Sequence, residues 1–333
     1  MKHTVYRKAF ICAVFMSLSA AAFAAAKKSI VCVSYPEYDW VMNILGNKSA
    51  FTVTLLQNNG TDLHSYQPSV KDMAKISTCD MLVHVGGESG GWVADAVKTA
   101  RNRNMTVVNM MEVLGDRVRE EEIVEGMEHH DEDHDAHEGS GERAGQRRHD
   151  DDEDVEYDEH IWLSLRNAML LTQYISGKIQ RLDPANAGVY RTNAEAYVAQ
   201  LSALDAEYAR SVAASGRDTL LFCDRFPFRY LTDDYNLKYY AAFPGCSAES
   251  EASFETIAFL ANKLDALGLD AVLTIEKSDR KLAKTVAANS KRKHLEILEL
   301  DSLQSVTARE LKGGRTYLSA MKANLAVLKK ALR

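Results

Sequence analysis

Five of the ten histidines, His129, His130, His134, His137 and His149, precede His160 in the tract "HHDEDHDAHEGSGERAGQRRHDDDEDVEYDEH", which that sixth histidine ends. Imidazoles at tight spacing among carboxylates suit a divalent cation, because imidazole is a common ligand for zinc and its neighbours. A tract this polar has little to bury, does not offset its own ordering entropy, and is expected to be disordered. His-rich tracts of this kind bind metal ions, and the plainer reading is a solvated linker. Two more histidines sit where chemistry is usually done. His64, in "NNGTDLHSYQPSVKD", lies in a loop between a strand and a helix, and such loops are where α/β sheets take ligands. His160, in "EYDEHIWLSLRNA", stands where the acidic tract meets a helix. Each alone reads as a surface or helix-entry residue. A His/Asp tract feeding straight into His160 favours metal for both.

The elements that must position them alternate. "SIVCVSY" (29–35), "FTVTLL" (51–56), "DMLVHVG" (80–86) and "MTVVNM" (105–110) read as strands, with amphipathic stretches between them. Pro68 and Ser69 suit a helix start. A second set follows the tract: "DTLLFC" (218–223), "LKYYAAF" (237–243), "DAVLTI" (270–275) and "HLEILEL" (294–300). This β-α-β-α order predicts parallel sheets faced by helices. Between the two sets, "IWLSLRNAMLLTQYISGKIQRL" reads as one helix, broken at Asp183-Pro184. A second helix over 185–215 carries Tyr190, Ala194, Tyr197, Leu201 and Leu204 at helical spacing. A final helix begins near Arg315. The expected organisation is an α/β lobe over 27–184 with its polar loop at 119–158, a stiff connecting helix over 185–215, and a second α/β lobe over 216–333. A helix of about thirty residues spans about 45 Å, enough to cross both lobes and limit hinge motion.

Charge and cysteines bound the rest. Residues 120–159 carry 19 Asp and Glu against three Arg, so the acidity behind the net charge of −7 is local to the loop and the remainder stands at +9. No basic cluster interleaved with aromatics supports nucleic-acid binding. Lys2, Arg7 and Lys8 precede an apolar stretch that ends in "AFA", the pattern of a cleavable signal peptide over 1–25 and of an exported protein. Cys12 lies inside the apolar stretch and not behind a lipidation box, so a periplasmic location without a lipid anchor is expected. The other four cysteines, Cys32, Cys79, Cys223 and Cys246, allow three full pairings in an oxidising compartment. Cys223–Cys246 is the favoured pair, since both end apolar runs, and plain burial is the alternative.

"GTDLHSYQPSVKDM", "DEHIWLSLRNA" and "DRFPFRYLTDDYNL", in that order, resemble the metal-specific solute-binding proteins of ABC importers. That family contains zinc-uptake and manganese members. The resemblance covers the whole mature chain and implies two α/β lobes, a long connecting helix and one buried metal between the lobes. Zinc members often carry a His- and acid-rich loop between the first two metal histidines, where this chain has its own. His64 falls on the family's first ligand and His160 on its second. The third position departs from the pattern, because "LLFCDRFPFRY" holds no histidine. Counting from the strand puts Asp224 there, and counting back from "DYNL" puts Arg225, which is always protonated and ligates no cation. Asp224 is the candidate, with a helix N-cap as its alternative role. Asp301 in "LELDSLQ" matches the family's Asp-Ser ligand motif, with a plain turn as the alternative. Glu276 matches an acidic position beside the site and is expected to orient a ligand or support the fold.

Two nitrogens and two carboxylates suit zinc, although added oxygens favour harder ions such as manganese. Clustered loop imidazoles favour zinc, and manganese members generally lack the loop. The resemblance thus implies a monomeric periplasmic protein that captures Zn2+, with Mn2+ or iron as the alternative cargo, and delivers it to a membrane permease driven by a separate ATPase. No Walker motif is present. A zinc hydrolase would need an open coordination position and a general base, often in HExxH on a helix, and that motif is absent. A periplasmic metal buffer would need the loop alone and leaves His64 and His160 unexplained.

Overall fold

The computed structural model describes residues 27–47, 50–128, 156–247 and 251–333. The segment expected to be a signal peptide and the loop histidines His129, His130, His134, His137 and His149 lie outside the described residues. The first lobe runs β1 (Lys28–Cys32), α1 (Tyr35–Leu45), β2 (Phe51–Leu55), α2 (Val70–Thr78), β3 (Met81–His84), α3 (Gly91–Thr99), β4 (Thr106–Asn109) and α4 (Met110–Leu114). Two long helices follow, α5 (Leu165–Leu182) and α6 (Ala187–Ala213). The second lobe runs β5 (Thr219–Phe226), α7 (Arg229–Tyr235), β6 (Lys238–Pro244), α8 (Phe254–Leu267), β7 (Ala271–Ile275), α9 (Lys281–Asn289), β8 (Glu296–Leu300), α10 (Ala308–Lys312) and α11 (Tyr317–Ala331).

Each lobe holds one parallel four-stranded sheet, in the orders β2-β1-β3-β4 and β6-β5-β7-β8. The two orders are the same topology used twice. Helices cover both faces, so inner strands are mostly apolar, and every residue of β3 and β7 is buried. All eight expected strands form. Three boundaries move for local reasons. The first strand stops at Cys32, because Ser34 caps α1 in a capping box with Glu37 and turns Tyr35 into helix. The helix expected from Ile161 begins at Leu165, after a short 3-10 turn over Ile161–Leu163 and the Ser164 cap. β5 runs on to Phe226, with its register against β6 shifting between Phe222 and Arg225.

The connecting helix α6 has 27 residues, a length of about 40 Å. Its buried tyrosines fasten both ends of the molecule. Tyr197 Oη donates to Asp39 Oδ2 of α1 at 3.0 Å, and Tyr208 Oη to Met321 O of α11 at 2.5 Å. One apolar core passes through both lobes, joining Ile30, Trp40, Trp162, Phe222, Leu300 and Tyr317, while separate outer cores back each sheet. Trp40 meets Tyr317 edge-on with ring centroids 5.4 Å apart. A shared close-packed core resists rigid-body rotation of one lobe against the other.

Candidate metal centre

His64 sits in a 3-10 turn over Leu63–Ser65, after β2, capped by Asp62, whose Oδ1 accepts from His64 N at 3.0 Å. His160 caps the 3-10 turn leading into α5 and is fully buried. The turn ahead of it is tied down by Asp158, whose Oδ1 accepts from His160 N at 2.7 Å and from His160 Nδ1 at 2.8 Å. A carboxylate only accepts, so Nδ1 carries a proton, and in the neutral ring the Nε2 lone pair is the one left for a metal. That is the carboxylate–imidazole arrangement found behind metal-bound histidines. His64 Nδ1 lies 2.9 Å from Ser89 Oγ.

With their outer nitrogens held, the two imidazoles face each other, Nε2 to Nε2, at 3.1 Å. Two nitrogens bound to one tetrahedral zinc at about 2.0–2.1 Å stand about 3.3 Å apart, so the pair is already spaced for one ion. Burial, the facing His160 and Arg225 hold His64 down at about 3, against the pull of Asp62. Burial works against the charged form of His160 too, but Asp158, Asp62 and Glu159 together outweigh it and move that imidazole up. Glu159 completes the wall: its Oε1 accepts from Ser89 N at 2.8 Å, its Oε2 accepts no hydrogen bond and lies 3.8 Å from His64 Nδ1, and burial raises its carboxyl.

His64 borders a cleft of about 740 Å3, with the buried His160 behind it, and the lining includes Trp92, Glu88, Glu121, Glu156 and Glu159, with Pro244 and Cys246 from the second lobe. Cys246 Sγ and the two histidines offer ligand atoms that all lie within 4.8 Å of one another. Among the described residues, no other cluster of three such side chains forms. Cys246 follows β6, its N–H donating to Glu121 Oε1 at 2.8 Å. Burial and the nearby carboxylates push its thiol up.

The remaining candidates are placed elsewhere. Asp224 lies inside β5, its Oδ1 accepting from Arg225 N at 3.0 Å; α7 is capped by Phe228, so Asp224 is no helix cap, and its carboxylate is outside the histidine cluster. The physical reason is the longer strand, which carries Asp224 and Arg225 within the sheet. Arg225 crosses the cleft instead: Nη2 donates to Asp62 Oδ2 at 2.8 Å and Nη1 to Ser247 O at 3.2 Å. Asp301 ends β8 as expected, but its carboxylate pairs with Arg315 and accepts from Leu303 N at 2.9 Å. It too stands outside the cluster. Glu276 accepts from both Ser302 N and Ser302 Oγ at 2.7 Å, and Ser302 O accepts from Trp162 Nε1 at 2.8 Å. Trp162 packs edge-on to His160, centroids 5.4 Å apart, so Glu276 supports the site through two intermediaries.

Sequence reasoning missed Asp158, Ser89 and Cys246. Asp158 was legible, two residues ahead of His160. Cys246 had one signal, its place at the C-terminal end of a parallel strand, and the cysteine count drew it into a disulfide instead. All four cysteines of the described residues are free thiols, and Cys223 is buried in the core behind the second sheet with Leu221, Phe243 and Leu260.

Comparison with known proteins bears on this geometry. The family model ZnuA, "Zinc-uptake complex component A periplasmic", matches residues 30–331. The chain is 27% identical over 308 residues to the zinc-binding protein AdcA of Streptococcus pyogenes, covering 91% of this chain and 56% of that protein. It thus spans just over half the length of that relative. It is 27% identical over 306 residues to the high-affinity zinc uptake system protein ZnuA of Bacillus subtilis, covering 92% of this chain and 88% of that one. Among solved structures, the Zn(II)-bound ZnuA-like domain of Streptococcus pneumoniae AdcA matches with a TM-score of 0.69 and 25% identity, over 92% of this chain and 99% of that chain.

Proposed function

Because the chain belongs to the ZnuA family of zinc-uptake components, we propose that it captures a zinc ion between its lobes on His64 and His160 and delivers it to the membrane permease of an ABC importer. The observation that carries this reading is the pair of converging Nε2 atoms, 3.1 Å apart, each with its outer nitrogen already engaged. Such preorganisation lowers the entropic cost of binding. The relatives named above as zinc-binding and zinc-uptake proteins support the same cargo. The protein works outside the cytoplasm as a binding component and not as an enzyme: its sequence holds no HExxH helix and no Walker motif, so energy comes from a separate ATPase. The loop histidines His129, His130, His134, His137 and His149 act as a gatherer, raising the ion's local concentration beside the cleft as a tethered weak site does. Asp224 and Asp301 have no part in the cluster of His64, His160 and Cys246, and on this reading they support the fold.

A chelator-competition titration with zinc tests this on three proteins: the wild type, the His64→Ala/His160→Ala double variant, and a deletion of residues 129–155. Tight one-to-one binding is expected in the wild type and the deletion and is lost in the double variant. Tight binding that survives the double variant, or disappears with the loop, refutes the interlobe site.

A further inference from the structure

We propose that Cys246 supplies the second lobe's ligand, binding the ion through its thiolate and making the site selective for thiophilic cations such as zinc over manganese. This rests on His64 and His160 holding the ion. The end of β5 offers no side chain to the histidine pair: Asp224 turns to Arg225 N, and Arg225 spans to Asp62. The two lobes share one strand order, so β6 is the counterpart of β2. His64 follows β2 and Cys246 follows β6, and these two matching loops meet across the cleft.

The loop that carries the thiol is built against the metal histidine. A Cβ on Gly245 would stand 2.8 Å from Phe226 O and 3.2 Å from His160 Cε1. Only glycine lets the backbone come this close, and Glu121 pins the next N–H at 2.8 Å. In tetrahedral zinc sites the N···S separation is about 3.6 Å, from Zn–N of about 2.05 Å and Zn–S of about 2.3 Å. The ligand atoms here lie within 4.8 Å, so the sulfur needs little movement. Among the described residues, the other three thiols differ in kind. Cys32, Cys79 and Cys223 each belong to an apolar core cluster, whereas Cys246 belongs to none and lines the cleft. Thiolate ligands select zinc and softer ions, while manganese prefers oxygen.

Cobalt(II) substitution reads this directly, because thiolate ligation gives a sulfur-to-metal charge-transfer absorption that imidazole and carboxylate do not. The residues of the acidic loop include no cysteine, so cobalt held there is silent in that band. The reduced wild-type protein and its Cys246→Ser and Cys223→Ser variants are titrated with cobalt and, in competition, with zinc. The expected result is a charge-transfer band saturating at one equivalent in the wild type and in C223S, absent in C246S, with zinc affinity in C246S reduced at least about tenfold. Tight binding by the wild type without the band, or a band that survives in C246S, overturns the thiolate assignment and leaves the histidine site standing. Failure of the wild type to bind either ion overturns both.

Discussion

Replacing Asp158 separates charge from geometry in the metal centre. Its Oδ1 accepts from both His160 N and His160 Nδ1, at 2.7 and 2.8 Å. Asp158→Asn keeps an oxygen at that position, so both hydrogen bonds survive and only the negative charge is lost. Asp158→Ala loses both bonds and frees the ring to take the other tautomer, whose Nε2–H blocks metal binding. Partners that orient metal-bound histidines typically contribute 10–100-fold in affinity, and each tenfold is about 1.4 kcal/mol. Asn is therefore expected near the lower end, about tenfold, and Ala near the upper end, about a hundredfold. Tyr230 Oη donates to Asp158 O and not to the side chain, so the backbone tie remains in both variants. The assay is zinc competition against a chromophoric chelator, with circular dichroism to confirm folding. Equal zinc affinity in D158A and wild type would refute the reasoning that His160 binds through an Nε2 lone pair prepared by Asp158.

Gly245→Ala forces a methyl against Phe226 O and the His160 ring. The expected cost is about 1–3 kcal/mol, read as a lower melting temperature together with weaker zinc binding. Glu37, fully buried in α1, is raised by burial from the ordinary 4.5 to about 7. The native state then holds a proton that the unfolded chain releases, so stability is greatest below about pH 4.5 and falls as pH rises towards 7. The whole effect is up to about 3 kcal/mol. Denaturant melts across pH 5 to 8 are expected to show this slope reduced in Glu37→Gln, leaving the smaller contribution of Asp39, itself raised to about 6 by burial. Tyr208→Phe removes the buried bond to Met321 O and should lower stability by about 1 kcal/mol, with no effect on zinc affinity.

The chain's local pattern determined its elements. Apolar runs of strand length alternating with amphipathic stretches put all eight strands in place, because burial on both faces of a parallel sheet leaves a continuous hydrophobic signature. The two motif histidines were legible for a similar reason: their type and their positions beside strand and helix ends are properties of short segments. What the sequence did not determine is which side chains meet. His64 and His160 are 96 residues apart, and Cys246 comes from the opposite lobe. Nothing local records that β2 and β6 end on facing loops. Asp224 and Asp301 carry the right chemistry at motif-like places, and what they contact is set by three more residues of strand in β5 and by one arginine, Arg315. Ligand sets are decided by register and by competition among charged partners. Both are settled only when the two lobes close on a common core.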